Sequence, residues 1–258
     1  MIIKRDFLYT PKGENRMLHI WLPEDYENSH DRYPVMYFFD GHNLFNDADA
    51  TYGKSWGFRR FLSRWDRKMI LVGIECSHVG NERLNEYLPY PPATERFGAL
   101  KEEGNLTLDW IAEEIKPMID REYRTLPDRA NTGIGGSSMG GLMAIRAVLG
   151  YNHVFSRAAC VSSAIGFSPE ATLADAEQSK IDANTRVFLS WGSREAWGSK
   201  DPLHADPASP SYKWNQFICH RVRIQGGRGW MFCQEGGGHC EADWEKLVPG
   251  FMHFLWKE

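Results

Sequence analysis

The chain has 258 residues, of which 42% are hydrophobic and 25% are charged, and its formal net charge is −4 at pH 7. A chain of this length removes roughly three quarters of its extended surface from water, so it can build a large core. α/β proteins of this size often form a single unit, and we expect one domain over residues 1–258. The slight negative charge gives no reason to expect a nucleic-acid or anionic-membrane partner.

The N-terminus and the cysteines indicate in which compartment the protein is found and whether it holds a metal or a cofactor. The N-terminus lacks the basic start, apolar run and cleavage site of a secretory signal. No apolar stretch approaches the roughly 20 residues of a membrane helix. We therefore expect a cytoplasmic protein with no membrane partner. The five cysteines are scattered without a CxxC pair, which predicts reduced thiols in the core, no disulfide framework, no metal and no cofactor.

Apolar runs of strand length alternate with segments of helical period along the chain. This is the pattern of a mostly parallel sheet covered by helices on both faces. The first two runs predict an antiparallel pair, and the later six have the continuous apolar character of strands buried on both faces. The predicted strands are Ile3–Tyr9, Met17–Leu22, Val35–Phe39, Ile70–Ile74, Asn131–Gly135, Ala158–Ser162, Val187–Trp191 and Trp230–Gln234.

Three segments have helical spacing: Leu106–Tyr123, Met139–Gly150 and Glu241–Trp256. Pro117 predicts a kink in the first of them. The weakly periodic stretches Cys76–Gly104 and Gly192–Ser211 are predicted loops, neither long enough for a large lid domain. Because both follow strands, they should emerge at the carboxyl ends of the sheet, where open α/β folds place their sites.

The strongest local motif is Gly136-Ser137-Ser138-Met139-Gly140, a G-x-S-x-G pattern centred on Ser138. The motif requires a sharp turn from strand to helix that lifts the serine hydroxyl above the sheet. An apolar strand precedes it and an apolar helix follows, as required. The alternative is a structural or phosphate-binding glycine turn, although no lysine follows the glycines as in a Walker-type loop.

A serine hydroxyl needs a base to remove its proton, and the base needs a third group to orient it. Among the five histidines after Ser138, His239 is favoured because Gly236–Gly238 precede it and an amphipathic helix follows. A polar tip in a glycine turn after the last strand suits a general base. A solvated loop histidine is the alternative interpretation.

The orienting acid should follow the strand Val187–Trp191. Glu195 comes first after this strand, and Asp201 and Asp206 are later alternatives. Glu195 is favoured because the nearby strand end fixes its position best. It could instead be a surface carboxylate paired with Arg194.

Two backbone amides should stabilise the developing oxyanion. One should belong to Met139, the residue after the nucleophile. The other should come from the turn after the third strand, where the amide of His42 is the predicted donor. The alternative is that Asp40-Gly41 is an ordinary turn.

The whole pattern resembles the putative esterase family of the α/β-hydrolase superfamily, which includes esterase D, enterochelin esterases and feruloyl esterases. The matching segments lie in family order: Tyr33–Phe45 as the oxyanion loop, Tyr52–Gly57, Arg83–Tyr87 as an Arg…Glu-Tyr element, Ile115–Asp120, Gly192–Glu195 as the acid loop and Gly238–Trp244 as the histidine loop. The sequence departs from the family at His42, where Gln or Leu is usual, and at Cys240, where Asn is common.

The resemblance implies an α/β-hydrolase fold and a serine carboxylesterase acting on a small-molecule ester, with a triad of Ser138, His239 and Glu195. A feruloyl or acetyl ester of a carbohydrate is the first substrate hypothesis, since Phe45, Trp56, Trp191 and Trp197 could supply stacking surfaces. An acyltransferase using the same triad and a catalytically silent binding protein are the alternatives. The oligomeric state is left open.

Overall fold

The computed structural model describes residues 1–93 and 98–257, and its centre is one eight-stranded sheet. All eight predicted strands are present, with ends shifted by a few residues at most. The strands are β1 (Ile2–Tyr9), β2 (Glu14–Trp21), β3 (Val35–Phe39), β4 (Ile70–Ile74), β5 (Thr132–Ser137), β6 (Arg157–Val161), β7 (Arg186–Gly192) and β8 (Arg228–Gln234).

The strand order is β1-β2-β4-β3-β5-β6-β7-β8. Strand β2 runs antiparallel to both of its neighbours, and the remaining pairs are parallel. The predicted antiparallel entry and mostly parallel sheet are therefore both present. The carboxyl ends of the six strands from β3 to β8 meet at one edge of the sheet.

Helices connect the strands. They are α1 (Phe58–Leu62), α2 (Glu82–Glu86), α3 (Gly104–Trp110), α4 (Lys116–Glu122), α5 (Met139–Gly150), α6 (Pro169–Gln178), α7 (Pro210–Ile224), α8 (Glu241–Trp244) and α9 (Val248–Trp256). Short 3-10 turns lie at Gly41–Asn43 and Glu245–Leu247. Helix α5 has the predicted bounds, whereas α6 and α7 were not predicted.

The predicted helix Leu106–Tyr123 is divided by a π-helical turn at Ile111–Ile115, which lies between α3 and α4. This turn ends two residues before Pro117, whose missing amide cannot complete the α-helical ladder. The predicted loop Cys76–Gly104 contains helix α2. Residues 94–97 of that loop lie outside the described residues.

Successive side chains of a strand point to opposite faces of the sheet, so the hydrophobic core is divided into two parts, one on each face. In β3, Tyr37 packs in one hydrophobic cluster with side chains of α3 to α6, and Phe38 packs in a second cluster with Phe58 of α1 and Phe251 of α9. Helices therefore cover both faces, as predicted. All five cysteines are free thiols, and three are buried. The expectation of core thiols is wrong for Cys240, which is exposed because it begins the turn into α8.

Three residues at the carboxyl edge have unusual backbone angles. In the described ranges, Asp40, Ser138 and Ser162 are the non-glycine residues with positive φ, at 57°, 57° and 45°. They directly follow β3, β5 and β6, which are neighbours in the sheet. Such conformations cost about 1–3 kcal/mol each and concentrate at functional sites.

Candidate active site

Ser138 sits at the turn from β5 into α5, at φ 57° and ψ −122°. Its amide donates to the carbonyl of Val161, and its carbonyl accepts from the amide of Ala164, so the turn is tied to the end of β6. A Cβ at Gly136 would lie 2.7 Å from the carbonyl carbon of Gly140, which explains why the motif has glycine on both sides. The sequence folds here into the strained elbow that the motif predicts.

His239 and Glu195 form a pair at the ends of β8 and β7. Nδ1 of His239 lies 3.3 Å from Oε2 of Glu195. The Glu195 side chain is 11% exposed, whereas the His239 side chain is 44% exposed. One edge of the imidazole is thus held by a largely buried carboxylate, and the rest of the ring is accessible from the cavity.

The Glu195 carboxylate is fixed by the residue that follows β6 and by the last residue of β7. Its Oε1 accepts hydrogen bonds from the Ser162 hydroxyl, at 2.6 Å, and from the Gly192 amide, at 2.9 Å. The Ser162 hydroxyl in turn accepts from Nε1 of Trp244, at 2.9 Å, and the Trp244 ring packs edge-on against His239. Ser162 and Trp244 were not identified as site residues from the sequence, because only the fold brings them to Glu195.

The two loops that carry this pair are joined directly. The amide of Arg194 donates to the carbonyl of Gly237, at 3.0 Å. A Cβ at Gly192 would lie 2.3 Å from the same carbonyl oxygen, so the loops can approach this closely only with glycine at position 192. The Gly238 amide donates to Oδ2 of Asp243, which anchors the histidine loop to helix α8.

The alternative acids point elsewhere. Asp201 lies 3.9 Å from His204 and accepts from the Leu203 amide, and both side chains of the pair are exposed. Asp206 accepts from the Ala208 amide, in a turn on the surface. Among the three carboxylates considered, the geometry therefore favours Glu195 as the partner of His239.

The turn after β3 carries Asp40 in a left-handed conformation, followed by a single 3-10 turn. That turn is closed by Asn43 donating to Asp40 and by Leu44 donating to Gly41, so it makes no use of the His42 amide. Met139 is the first residue of α5, and its amide has no acceptor within the helix. The amides of His42 and Met139, which are the two predicted oxyanion donors, are therefore not used by the turn and the helix that contain them.

Arg83 holds this turn through a bidentate ion pair with Asp40. Its Nε and Nη2 donate to the two carboxylate oxygens, both at 2.7 Å. Burial alone would raise the pKa of Asp40, but the charge and hydrogen bonds of Arg83 outweigh burial and hold that pKa below its usual value. Tyr87 accepts from the Asp40 amide, and Glu86 accepts from the Ser77 amide and pairs with Arg16. The Arg…Glu-Tyr element of the sequence therefore positions the turn after β3.

Ser138 and His239 line one cavity of about 400 Å³. Within residues 1–93 and 98–257, no hydrogen bond joins the Ser138 hydroxyl to the His239 ring. The other residues of its wall, most of which have polar side chains, are Asp40, His42, Asn43, Thr51, Tyr52, Cys76, Ser77, His78, Gly80, Arg83, Ser137, Glu241 and Trp244. Burial raises the pKa of the Glu241 carboxyl, which lies two residues after His239.

The aromatic residues proposed from the sequence do not line this cavity. Phe45, Trp56 and Trp191 are buried, at 5%, 2% and 3% exposure, and Trp197 packs against Gly166 and Trp214. They are core or loop-packing residues. Tyr52, which is 82% exposed, and Trp244 are the aromatic residues at the cavity.

One group of side chains at the cavity has the chemistry of a metal site. His42, Glu75 and His78 each offer one donor atom, and these atoms all lie within 4.8 Å of one another. His42 and His78 line the cavity. Two imidazoles and a carboxylate are a donor set typical of zinc and related divalent ions.

Comparison with protein families finds that the model of the family described as "Esterase: Putative esterase" matches residues 11–254. A relative in Bacillus subtilis (strain 168), named "Uncharacterized protein YbbA", is 27% identical over 186 residues, which are 71% of this chain and 70% of that protein.

In the described ranges, no helix is long and apolar enough to cross a membrane.

Solved structures share the architecture. An IroE-like serine hydrolase from Shewanella oneidensis is similar with a TM-score of 0.74 at 20% identity, covering 98% of this chain and 79% of that one. Siderophore hydrolase EstA from Aspergillus nidulans is similar with a TM-score of 0.72 at 18% identity, covering 98% and 94%. These likenesses confirm the predicted α/β-hydrolase fold, and the described residues contain no large lid domain.

Proposed function

Because the chain belongs to the putative esterase family, we propose that it is a serine carboxylesterase whose acyl-enzyme forms on Ser138. The observation that carries the proposal is the joint placement of three groups. A serine on a strained strand-to-helix elbow shares one cavity with an imidazole, and a largely buried carboxylate contacts that imidazole. This is the arrangement that nucleophilic acyl transfer requires.

In the proposed first step, the Ser138 hydroxyl oxygen attacks the ester carbonyl carbon while His239 accepts its proton. Catalytic hydrogen bonds are often long before substrate binds, so the absence of a direct bond in the free protein does not oppose this role. Glu195 keeps the proton of the imidazole on Nδ1 and stabilises the imidazolium that forms. Ser162 and the Gly192 amide hold that carboxylate in place.

The tetrahedral intermediate places a negative charge on the former carbonyl oxygen. The amides of His42 and Met139 are the proposed donors to it, and Arg83 holds the first of them through Asp40. Collapse of the intermediate breaks the bond to the alcohol, which leaves with the proton from His239. Water then attacks the acyl-enzyme with His239 as base, releases the acid and restores Ser138.

The first substrate proposal is a feruloyl or acetyl ester of a carbohydrate. The exposed ring of Tyr52 at the cavity offers a stacking surface for a phenol or a sugar, which the four aromatic residues named from the sequence do not. A siderophore ester is the second candidate, favoured by the fold neighbour that is named a siderophore hydrolase. Hydroxycinnamoyl, acetyl and catecholate-lactone esters, compared by kcat/KM, separate these classes.

Covalent labelling with a fluorophosphonate probe tests the nucleophile. We expect the protein to be tagged once, at Ser138, and Ser138→Ala to remain untagged. Ser137→Ala is the matched control, because it removes a neighbouring hydroxyl of the same motif and should keep the label. Labelling of Ser138→Ala, or no labelling of the wild type, would overturn the proposal. Product analysis with an added alcohol then distinguishes hydrolysis from acyl transfer.

A further inference from the structure

His42, Glu75 and His78 form a compact group at the wall of the cavity that holds Ser138, and we call it the histidine-carboxylate cluster. Oε2 of Glu75 lies 2.9 Å from Nε2 of His78. The rings of His42 and His78 meet edge to face, with centroids 4.8 Å apart and planes at 68°. His42 and His78 line the cavity, whereas Glu75 contacts His78 from the side.

The His42 ring lacks a partner at one nitrogen. Nδ1 is buried and has no hydrogen-bond partner in the structure, and the whole residue is 7% exposed. Nε2 lies 2.9 Å from Oγ1 of Thr51, and Thr51 is itself held by a bond from its amide to Oδ1 of Asn43. When Nε2–H donates to Thr51, Nδ1 presents its lone pair. A buried polar atom left without a partner is energetically unfavourable, and a metal ion would supply the missing partner.

The Glu75 carboxylate is also held in position by a neighbouring side chain. Its second oxygen, Oε1, lies 2.6 Å from Nε2 of His19, which is 2% exposed. Protein metal sites use such outer partners to orient their ligands, and losing one typically costs 10- to 100-fold in affinity. Thr51 plays this part for His42, and His19 plays it for Glu75.

We infer that the histidine-carboxylate cluster binds a divalent transition-metal ion of the zinc class, with a fourth coordination position open to the cavity. Zinc binds imidazole nitrogen and carboxylate oxygen at about 2.0–2.2 Å, so donor atoms around it lie roughly 3.3 Å apart. The donors of the cluster are within 4.8 Å of one another. The His78 side chain is 57% exposed and lies beyond the end of β4, so it is free to close the remaining gap.

The fourth position would take water or an anionic oxygen of a molecule in the cavity. This site goes beyond the proposed ester hydrolysis, whose steps at Ser138 need no metal. It also departs from the sequence prediction of no metal, which rested on the cysteine pattern. His42 is far from Glu75 and His78 in the chain, so the three proposed ligands do not form a short motif that could be recognised in the sequence.

Titration with Co²⁺ and Zn²⁺ after removal of bound metal with a chelator tests the inference on the full chain. We expect one equivalent to bind, with Co²⁺ giving the visible absorption of a low-coordinate site. His78→Ala and Glu75→Gln should each weaken binding at least tenfold. His220→Ala is the matched control, because it removes an exposed histidine on α7 and should bind as the wild type does. Thermal melting of each variant verifies that it is folded.

The inference is overturned if the wild type retains no equivalent of either ion through gel filtration. It is equally overturned if folded His78→Ala and Glu75→Gln bind as tightly as the wild type. Metal binding is measured without ester turnover. A protein labelled at Ser138 that binds no metal therefore refutes this inference alone, and a metal-binding protein that is never labelled refutes only the proposed function.

Discussion

Replacing Arg83 with Met tests how the turn after β3 is held. The change leaves the Asp40 carboxylate, which is 8% exposed, without the bidentate partner that now compensates its charge. Breaking a buried ion pair costs about 3–5 kcal/mol. The Arg83 side chain is 29% exposed, so water screens part of the pair and we expect a loss of about 3 kcal/mol of unfolding free energy at pH 7.

The loss should depend on pH with a defined sign. In the wild type the pKa of Asp40 is held below its unfolded value, so the stabilisation is present above the unfolded pKa of about 3.9 and is lost as the pH falls through the folded one. In Arg83→Met, burial without the arginine favours the protonated carboxyl. The difference between the two proteins should therefore shrink between pH 7 and about pH 4.

Urea unfolding at both pH values measures this difference, and ester turnover is followed in parallel. Arg64→Met is the control, because it removes an exposed arginine and should change stability by less than about 0.5 kcal/mol. If the His42 amide is an oxyanion donor, kcat should also fall about 100-fold or more, as when one such donor is removed. A loss below about 1 kcal/mol at pH 7, or a loss that is unchanged at pH 4, would refute the reasoning.

Three further predictions concern the acid and its supports. Glu195→Gln should lower kcat about 10³- to 10⁴-fold with the melting temperature little changed, whereas Asp201→Asn should leave kcat near the wild type; the reverse result would reassign the acid. Ser162→Ala should cost about 1.5–3 kcal/mol in urea unfolding, because it removes a hydrogen bond to a carboxylate and the acceptor of Trp244, and equal stability would contradict this contact. Gly192→Ala should cost about 1–3 kcal/mol by overpacking the junction of the two loops, and normal stability would show that the loops can separate.

The fold was predictable where the hydrophobic pattern is unambiguous. Strands β3 and β4 and helix α5 have the predicted bounds, because the two strands are apolar throughout and the helix is apolar apart from Arg146. Helix α7 was missed, although Ser209 caps it by accepting from the Tyr212 amide, because its polar and charged residues dilute the apolar spacing. The predicted kink at Pro117 takes the form of a π-helical turn, a distinction that composition does not encode.

The placement of the candidate site residues was predictable where a residue belongs to a turn motif, and it was not predictable where a tertiary contact determines the partner. Glu195 could be proposed because it follows a strand closely. Ser162 could not, because its role depends on the neighbouring strands β6 and β7 and on Trp244 from a distant helix. The aromatic hypothesis was wrong for Trp56, since large apolar rings near a motif in sequence more often fill the core.

The positive φ angles of Asp40, Ser138 and Ser162 limit how this protein can be made more heat-resistant. Glycine would relax the backbone at each position, because it adopts positive φ without steric cost. Here each side chain has a contact or a proposed role that glycine would abolish. At Asp40 and Ser162 the lost ion pair and hydrogen bonds offset that relief. At Ser138, selection for survival at high temperature alone should favour glycine and remove the proposed nucleophile, whereas selection for both properties should keep serine.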